Sequence, residues 1–504
     1  MKANRREFIK TASLAATALT ASQSVGALGL ATDQASPTAR PNSYKYRIAF
    51  GCWINDMRGS PLPLQQWPAP QLDEETVASA IRAMDVQSRA GFNYLDAWGL
   101  FATYGYPPDI TSAFADKDRR AQVRRIIAAA AERGMKYVFG LGLFSWGYDA
   151  IIKADPAVQG RNKLGQPLEH AMCGAREKAW RYVEKIVDIA LSEFDFCGVH
   201  LESADMGWCG CPECGSKDGT VAYNIRLNTR MADYIKRKWP GKIVTCIPIS
   251  WLDDAGRPTF NDAEQARIIE LSRHIDCFMD QGWTGTYIAD TRRKDFIQRL
   301  HCDYGTSGGM WVYHSVRWDR CSYFLPYPKR TSAAIQRHFA DGARACMFYQ
   351  GPMVNPGVEL NTAVGGRILS DTRRTVDDVL GEVAELYYRP KTSTARRKLV
   401  DLIFRAEEAY FGLWDPDRFQ PGMSRELHLT NLFGVTPGPA SYLLEPYLTA
   451  NGRRTYQKEL VAILSELTDI GDSFDDHGRL QRIQKGIIFT LNLVETIGRA
   501  KGES

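Results

Sequence analysis

The chain has 504 residues, with 63 Lys plus Arg against 58 Asp plus Glu, a net charge of +5 and 44% hydrophobic residues, a globular composition rather than a disordered or fibrous one. So small a positive charge gives no ground for nucleic-acid binding, and no run of about 18 consecutive apolar residues marks an integral membrane segment in the body of the chain. The length suits two to four domains of about 100–200 residues, or one (β/α)8 barrel of about 250 residues or more with an appendage.

The first 30 residues read as an address. Asn4-Arg5-Arg6-Glu7-Phe8-Ile9-Lys10 precedes a weakly apolar Ala/Thr/Ser/Leu run from Thr11 to about Leu30, the order of a twin-arginine export signal with Val25-Gly26-Ala27 as a cleavage site. Export to the periplasm or beyond is expected. Losing residues 1–27 would remove Lys2, Arg5, Arg6, Lys10 and Glu7, taking the net charge from +5 to +2.

From Tyr46 onward short apolar runs alternate with amphipathic stretches. The expected strands are Tyr46–Trp53, Phe92–Trp98, Lys136–Trp146, Cys197–Glu202, Lys242–Trp251, Asp276–Trp283, Gly309–Tyr313 and Ala345–Gln350. Between them fall expected helices at 74–90, 118–133, 177–194, 222–239, 263–274, 293–301 and 332–343, each with 3.6-residue periodicity. Eight apolar strands alternating with helices predict an α/β fold, a (β/α)8 TIM barrel over 44–374. A doubly wound sheet is the competitor, but no Gly-x-Gly-x-x-Gly follows the first strand and no Gly-x-x-x-x-Gly-Lys-Ser/Thr occurs, so no nucleotide or organic cofactor is expected. Beyond residue 375 only helical periodicity remains, at 376–388, 395–414, 460–470 and 480–497, which predicts a C-terminal helical region over 375–504.

Seven of the twelve tryptophans, Trp53, Trp98, Trp146, Trp208, Trp251, Trp283 and Trp311, fall at or near the carboxyl ends of the first seven expected strands. In a barrel those ends converge on the face whose loops build the active site. Indole planes gathered there suit sugar rings, with neighbouring polar groups for the hydroxyls; the alternative is that they merely cap the core.

In Gly198-Val199-His200-Leu201-Glu202-Ser203-Ala204-Asp205, alternation sends His200 and Glu202 to one side and Val199 and Leu201 to the other. The two aliphatics suit the strand–helix layer, so Glu202 should enter the mouth, where shielding by Trp208 would favour a general acid. Glycoside cleavage usually needs a second carboxylate. Asp280 on the sixth strand is the leading partner, with Asp205, Asp96 on the second strand and Glu359 after the eighth as substitutes.

Eleven cysteines are an odd number for a simple disulfide framework. Cys209-Gly210-Cys211-Pro212-Glu213-Cys214 places three thiols in six residues, and its Cys-Pro-x-Cys half suits a zinc knuckle. Cys173 is the first choice as fourth ligand and His170 the alternative; a structural zinc, a disulfide and free thiols all stay open.

The run His200-Leu201-Glu202-Ser203-Ala204-Asp205 with the Cys cluster after it resembles secreted TIM-barrel proteins of polysaccharide-degrading bacteria that are similar to glycoside hydrolases. Gln350-Gly351-Pro352, Asn355 to Asn361 and Leu386-Tyr387-Tyr388 look like the barrel-to-helical junction of that group and of related alpha-glucuronidase-like and hexosaminidase-like barrels. The resemblance covers roughly residues 45–410 and implies a carbohydrate-active enzyme. It departs from many retaining barrel hydrolases at Leu201, where they carry Asn, and at Trp311-Val312-Tyr313-His314, where they carry Glu, so substrate and stereochemistry do not follow from it.

The reading that results is a secreted glycoside hydrolase acting on a polysaccharide or oligosaccharide. Glu202, Asp280 and Asp205 are its catalytic candidates; Trp53, Asp96, Trp98, Trp146, His200, Trp208, Trp251, Trp283, Trp311, His314 and Glu359 are its substrate contacts. A polysaccharide lyase, with His314 or Tyr313 as base and Arg317 on a uronate carboxylate, and a non-catalytic carbohydrate-binding barrel are the alternatives.

Overall fold

A computed structural model describes residues 42–53, 72–98, 100, 116–145, 147–203, 209–214, 219–247, 260–280, 288, 290–309, 324–350, 353, 355–412 and 450–500. The chain divides into two compact units, Met1–Ala39 and Arg40–Ser504. The first, with the expected export signal, lies outside the described residues, and every element named below belongs to the second.

Its strands, numbered in chain order, are β1 (Tyr46–Trp53), β2 (Tyr94–Trp98), β3 (Lys136–Leu141), β4 (Gln159–Arg161), β5 (Pro167–Met172), β6 (Gly198–Glu202), β7 (Ile243–Ile247), β8 (Cys277–Asp280), β9 (Asp303–Gly309) and β10 (Ala345–Tyr349). β4 and β5 form a separate hairpin; the other eight close into a barrel in the order β1-β2-β3-β6-β7-β8-β9-β10. Every barrel pair with a recorded register is parallel, as the strand–helix alternation requires.

The helices around the ring are α1 (Glu74–Ala90), α2 (Lys117–Glu132), α3 (Asp149–Ala154), α4 (Glu177–Glu193), α5 (Gly219–Lys238), α6 (Asp262–Leu271), α7 (Asp290–Arg299), α8 (Pro328–Asp341) and α9 (Pro356–Ser370). α1 shows how sequence makes such an element. The Asp73 side chain accepts from the Thr76 N–H at its start, Val77, Ala80, Ala83 and Met84 form its buried stripe, and Gly91 ends it with φ +97°, a left-handed value open to glycine.

Two expectations need correction. The seventh strand begins at Asp303, six residues before the expected Gly309, and is described as Asp303–Gly309, with 310–313 outside the described residues: its Gly- and Ser-rich sequence carries little apolar signal. The segment holding Glu359 is not a loop but α9, capped by Asn355, whose side chain accepts from the N–H groups of Gly357 and Val358. Pro356 takes the first helical position, where its missing N–H costs nothing.

Four further helices, α10 (Val376–Tyr388), α11 (Ser393–Phe411), α12 (Ala450–Asp469) and α13 (His477–Ala500), follow the barrel. Glu407 of α11, fully buried, accepts from the Lys329 and Arg330 N–H groups at 2.9 Å and from the Arg330 guanidinium at 3.0 Å. One carboxylate thus satisfies the orphan donors at the start of α8 and ties α11 to the barrel. The Asp415–Tyr447 segment lies outside the described residues.

Candidate functional site

The lumen is identified by contacts that cross it. The rings of Phe50 on β1 and His200 on β6 approach to 6.3 Å between centroids, although β1 and β6 are not neighbours in the sheet. His200 therefore faces inward, and by alternation so does Glu202, while Val199 and Leu201 face the helices. Phe50 pairs in register with Asp96, which puts the Asp96 side chain on the same inner face. Alternate strands share a layer in such barrels. With the tilt of the strands, Asp96 and His200 share one layer with Met279 and Met347, and Glu202 stands one step nearer the carboxyl end. Exposure follows that order: Asp96 is 1% exposed, His200 0% and Glu202 8%.

Inside, the chemistry is set by desolvation. Among the described residues neither carboxyl oxygen of Asp96 has a hydrogen-bond partner, and burial pushes its pKa well above the usual carboxylate range. The His200 Nδ1 hydrogen-bonds the Thr245 hydroxyl at 2.7 Å, and burial pushes its pKa down to about 3. Burial thus favours the neutral form of both groups, the cheaper state for a buried ionisable group. Thr245, on β7, was missed in the sequence; its signal is a lone hydroxyl among the apolar residues of Ile243-Val244-Thr245-Cys246-Ile247.

Asp280 does not share this space. Phe278, on the same face of β8, packs against Phe296 of α7 at 6.1 Å and Tyr304 of β9 at 6.0 Å, so that face meets the helix layer. The Asp280 carboxylate accepts from the Tyr304 hydroxyl and from the Ile288 N–H at 3.3 Å. Arg293, 0% exposed in its side chain, lies in the same layer and pairs with Asp341 at 2.8 Å. Asp280 is thus a member of a buried polar network behind the sheet, which corrects its expected place in the mouth.

Glu359 also lies elsewhere. Its carboxylate is held by Arg479 at 3.1 Å and Arg482 at 2.7 Å, both from α13, between the barrel and the terminal helices. Trp53 and Trp98 belong to β1 and β2 at their expected positions, their side chains outside the described residues. Asp205, Trp146, Trp208, Trp251, Trp283, Trp311 and His314, with Tyr313 and Arg317, also lie outside them.

The four cysteines are brought together. Cys173 follows the β4–β5 hairpin in the excursion after β3, and Cys209, Cys211 and Cys214 follow β6, so two loops of one barrel face meet. Backbone bonds knit them: Gly210 N–H to Arg161 C=O at 2.6 Å and Cys173 N–H to Val158 C=O at 2.8 Å. All four Sγ atoms lie within 4.8 Å of one another, with Cys173 at 3.4 Å from Cys214 and 3.7 Å from Cys211. Hydrogen bonds from the Cys173 and Cys214 thiols pull the Cys209 pKa far down, the direction that makes a thiolate. Such a quartet could hold a metal ion. His170, the alternative ligand, instead bonds Asp149.

No family model matches the chain, and no curated protein matches it in sequence. Among solved structures, it is similar to a GH138 enzyme targeting pectin rhamnogalacturonan II, with a TM-score of 0.54 at 12% identity, covering 90% of this chain and 57% of that one. It is also similar to a GH115 4-O-methyl-alpha-glucuronidase with specificity for decorated arabinogalactans, with a TM-score of 0.55 at 11% identity, covering 92% and 56%. The chain spans just over half the length of these two glycoside hydrolases, and the likeness is one of fold.

Proposed function

We propose that the chain is a glycoside hydrolase acting on a polysaccharide or oligosaccharide, with Glu202 as its general acid. The observation that carries this reading is the position of Glu202, inward at the carboxyl end of the fourth barrel strand and above a desolvated floor of Asp96 and His200. The place is where barrel enzymes assemble their chemistry, and the fold is one that two glycoside hydrolases share.

In this reading Glu202 gives its proton to the glycosidic oxygen as the bond to the anomeric carbon breaks. A second carboxylate then either attacks that carbon or takes a proton from the attacking water. Burial disfavours the charged form of Asp96, and Asp280 faces the helices, so we assign the task to Asp205, the next carboxylate in the sequence after the strand. Asp96 and His200 form the buried floor beneath Glu202, and the tryptophans that the sequence sets near the strand ends would serve as platforms for sugar faces.

The Cys173, Cys209, Cys211 and Cys214 quartet we assign to a structural zinc. Four thiolates leave no coordination position for water, so the ion would brace the loop after β6 rather than take part in the chemistry. The twin-arginine pattern assigns the chain to export. Among the described residues no helix is long and apolar enough to cross a membrane.

Incubating the purified chain with a panel of pectic, arabinogalactan and xylan substrates tests the reading. Released reducing ends without new unsaturated absorbance support it; unsaturated products would mark a lyase instead, and binding without cleavage a carbohydrate-binding barrel.

A further inference from the structure

On the outer side of the barrel, away from the lumen, α1, α10 and α13 surround a cavity of about 320 Å³. Four guanidinium groups line it: Arg82 and Arg89 from α1, Arg479 and Arg482 from α13. Two carboxylates, Asp85 and Glu359, share the lining, and both are engaged. Asp85 accepts from Arg133 at 2.8 Å, and Glu359 holds Arg479 and Arg482.

The charge does not balance. Glu359 and Asp476 together answer Arg479 and Arg482, whereas Arg82 and Arg89 have no ion-pair partner among the described residues. Arg479 spends its donors on Glu359, Asp476 and the Tyr387 carbonyl. Among the described residues Arg482 gives one nitrogen, Nη2, to Glu359, which leaves the rest of its fork for something else. Arg82 and Arg89 are exposed and seven residues apart on one helix, so both guanidiniums stand on the same side of α1 within about 10.5 Å of helix length.

We propose that this cavity binds a sulfate or phosphate group, held by Arg82, Arg89 and the open edge of Arg482. A tetrahedral oxyanion offers several acceptors to guanidinium forks approaching from two sides, and its charge of about −2 answers the excess of the lining. Because α1 belongs to the barrel and α13 to the terminal helices, the bound group would tie the two regions together and stabilise the folded chain. This site is independent of the glycosidase reading and of the lumen.

Titration calorimetry of the full chain with inorganic sulfate, inorganic phosphate, galactose 6-sulfate and galactose, at matched ionic strength, tests it. The expected result is saturable binding of the first three and none of galactose, weakened at least about tenfold in the Arg82→Ala/Arg89→Ala double variant. Both substituted side chains are exposed, so circular dichroism should be unchanged. Galactose 6-sulfate binding more tightly than inorganic sulfate would support a sugar ester as the source; equal affinity would support the free oxyanion. No saturable oxyanion binding, or binding that survives the double substitution unchanged, would overturn the proposal.

Discussion

The sulfur atoms of Cys173 and Cys214 stand 3.4 Å apart although 41 positions separate the residues in the chain. A disulfide would require about 2.05 Å, whereas four thiolates at about 2.3 Å around one tetrahedral zinc lie roughly 3.8 Å from each other. Protein purified without chelator should therefore carry about one equivalent of zinc, and Cys214→Ser should lose it. Mass spectrometry showing Cys209, Cys211 or Cys214 bridged, with no metal present, would contradict this.

Asp96 should cost stability at neutral pH. Burial raises its pKa in the fold, so the folded state keeps a proton that the unfolded chain releases above about 3.9. The stability this brings is present below that value and lost as pH rises through the folded pKa. Asp96→Asn, permanently neutral, should thus match wild type near pH 4 and exceed it in stability at pH 7. Urea unfolding at the two pH values measures the difference; an equal gap at both would mean that Asp96 is ionised in the fold.

His200 works in the opposite direction. Its folded pKa of about 3 lies below the unfolded value of about 6.5, so acidification through that window loads the unfolded chain with a proton first. Stability should decline as pH falls below about 6.5. His338, also buried and lowered, contributes in the same sense. His200→Gln should flatten part of the decline while keeping a partner for Thr245, and an unchanged slope would point to other groups.

Asp280→Asn separates structure from chemistry. The carboxylate takes the Tyr304 hydroxyl beside Arg293, so its loss should cost roughly 1–3 kcal/mol of stability. Turnover of the surviving folded protein should stay close to wild type. A turnover loss of about a hundredfold with unaltered unfolding would return Asp280 to the catalytic group.

Much of this arrangement is legible in the sequence, and the gaps have physical causes. Strands covered on both faces announce themselves as apolar runs, so seven of the eight appear near their true positions. β9 does not, because its inner face uses glycine: a Cβ on Gly305 would come within 2.3 Å of the Met279 sulfur. The α9 helix hides behind Pro356-Gly357 and Gly365-Gly366, where the missing Cβ of Gly366 admits the Ala90 carbonyl, 2.7 Å from an added methyl. Asp280 shows a different limit. Alternation along Cys277–Asp280 separates two faces without saying which is the inner one, and Phe278 resolves it only once α7 is packed against it. Glu202 was readable because Val199 and Leu201 mark the outer face by themselves. Cys173 came from counting ligands, since the hairpin that delivers it has no clear pattern of its own.

The most direct test of the central claim is the turnover of Glu202→Gln on the natural substrate and on one with an activated leaving group. The exchange keeps shape but removes the ionisable proton, so hydrolysis of the natural glycoside should fall by roughly 10²–10⁴ while binding is retained. The activated substrate, which needs less protonation, should lose much less. Wild-type rates on both would show that Glu202 is not the proton donor.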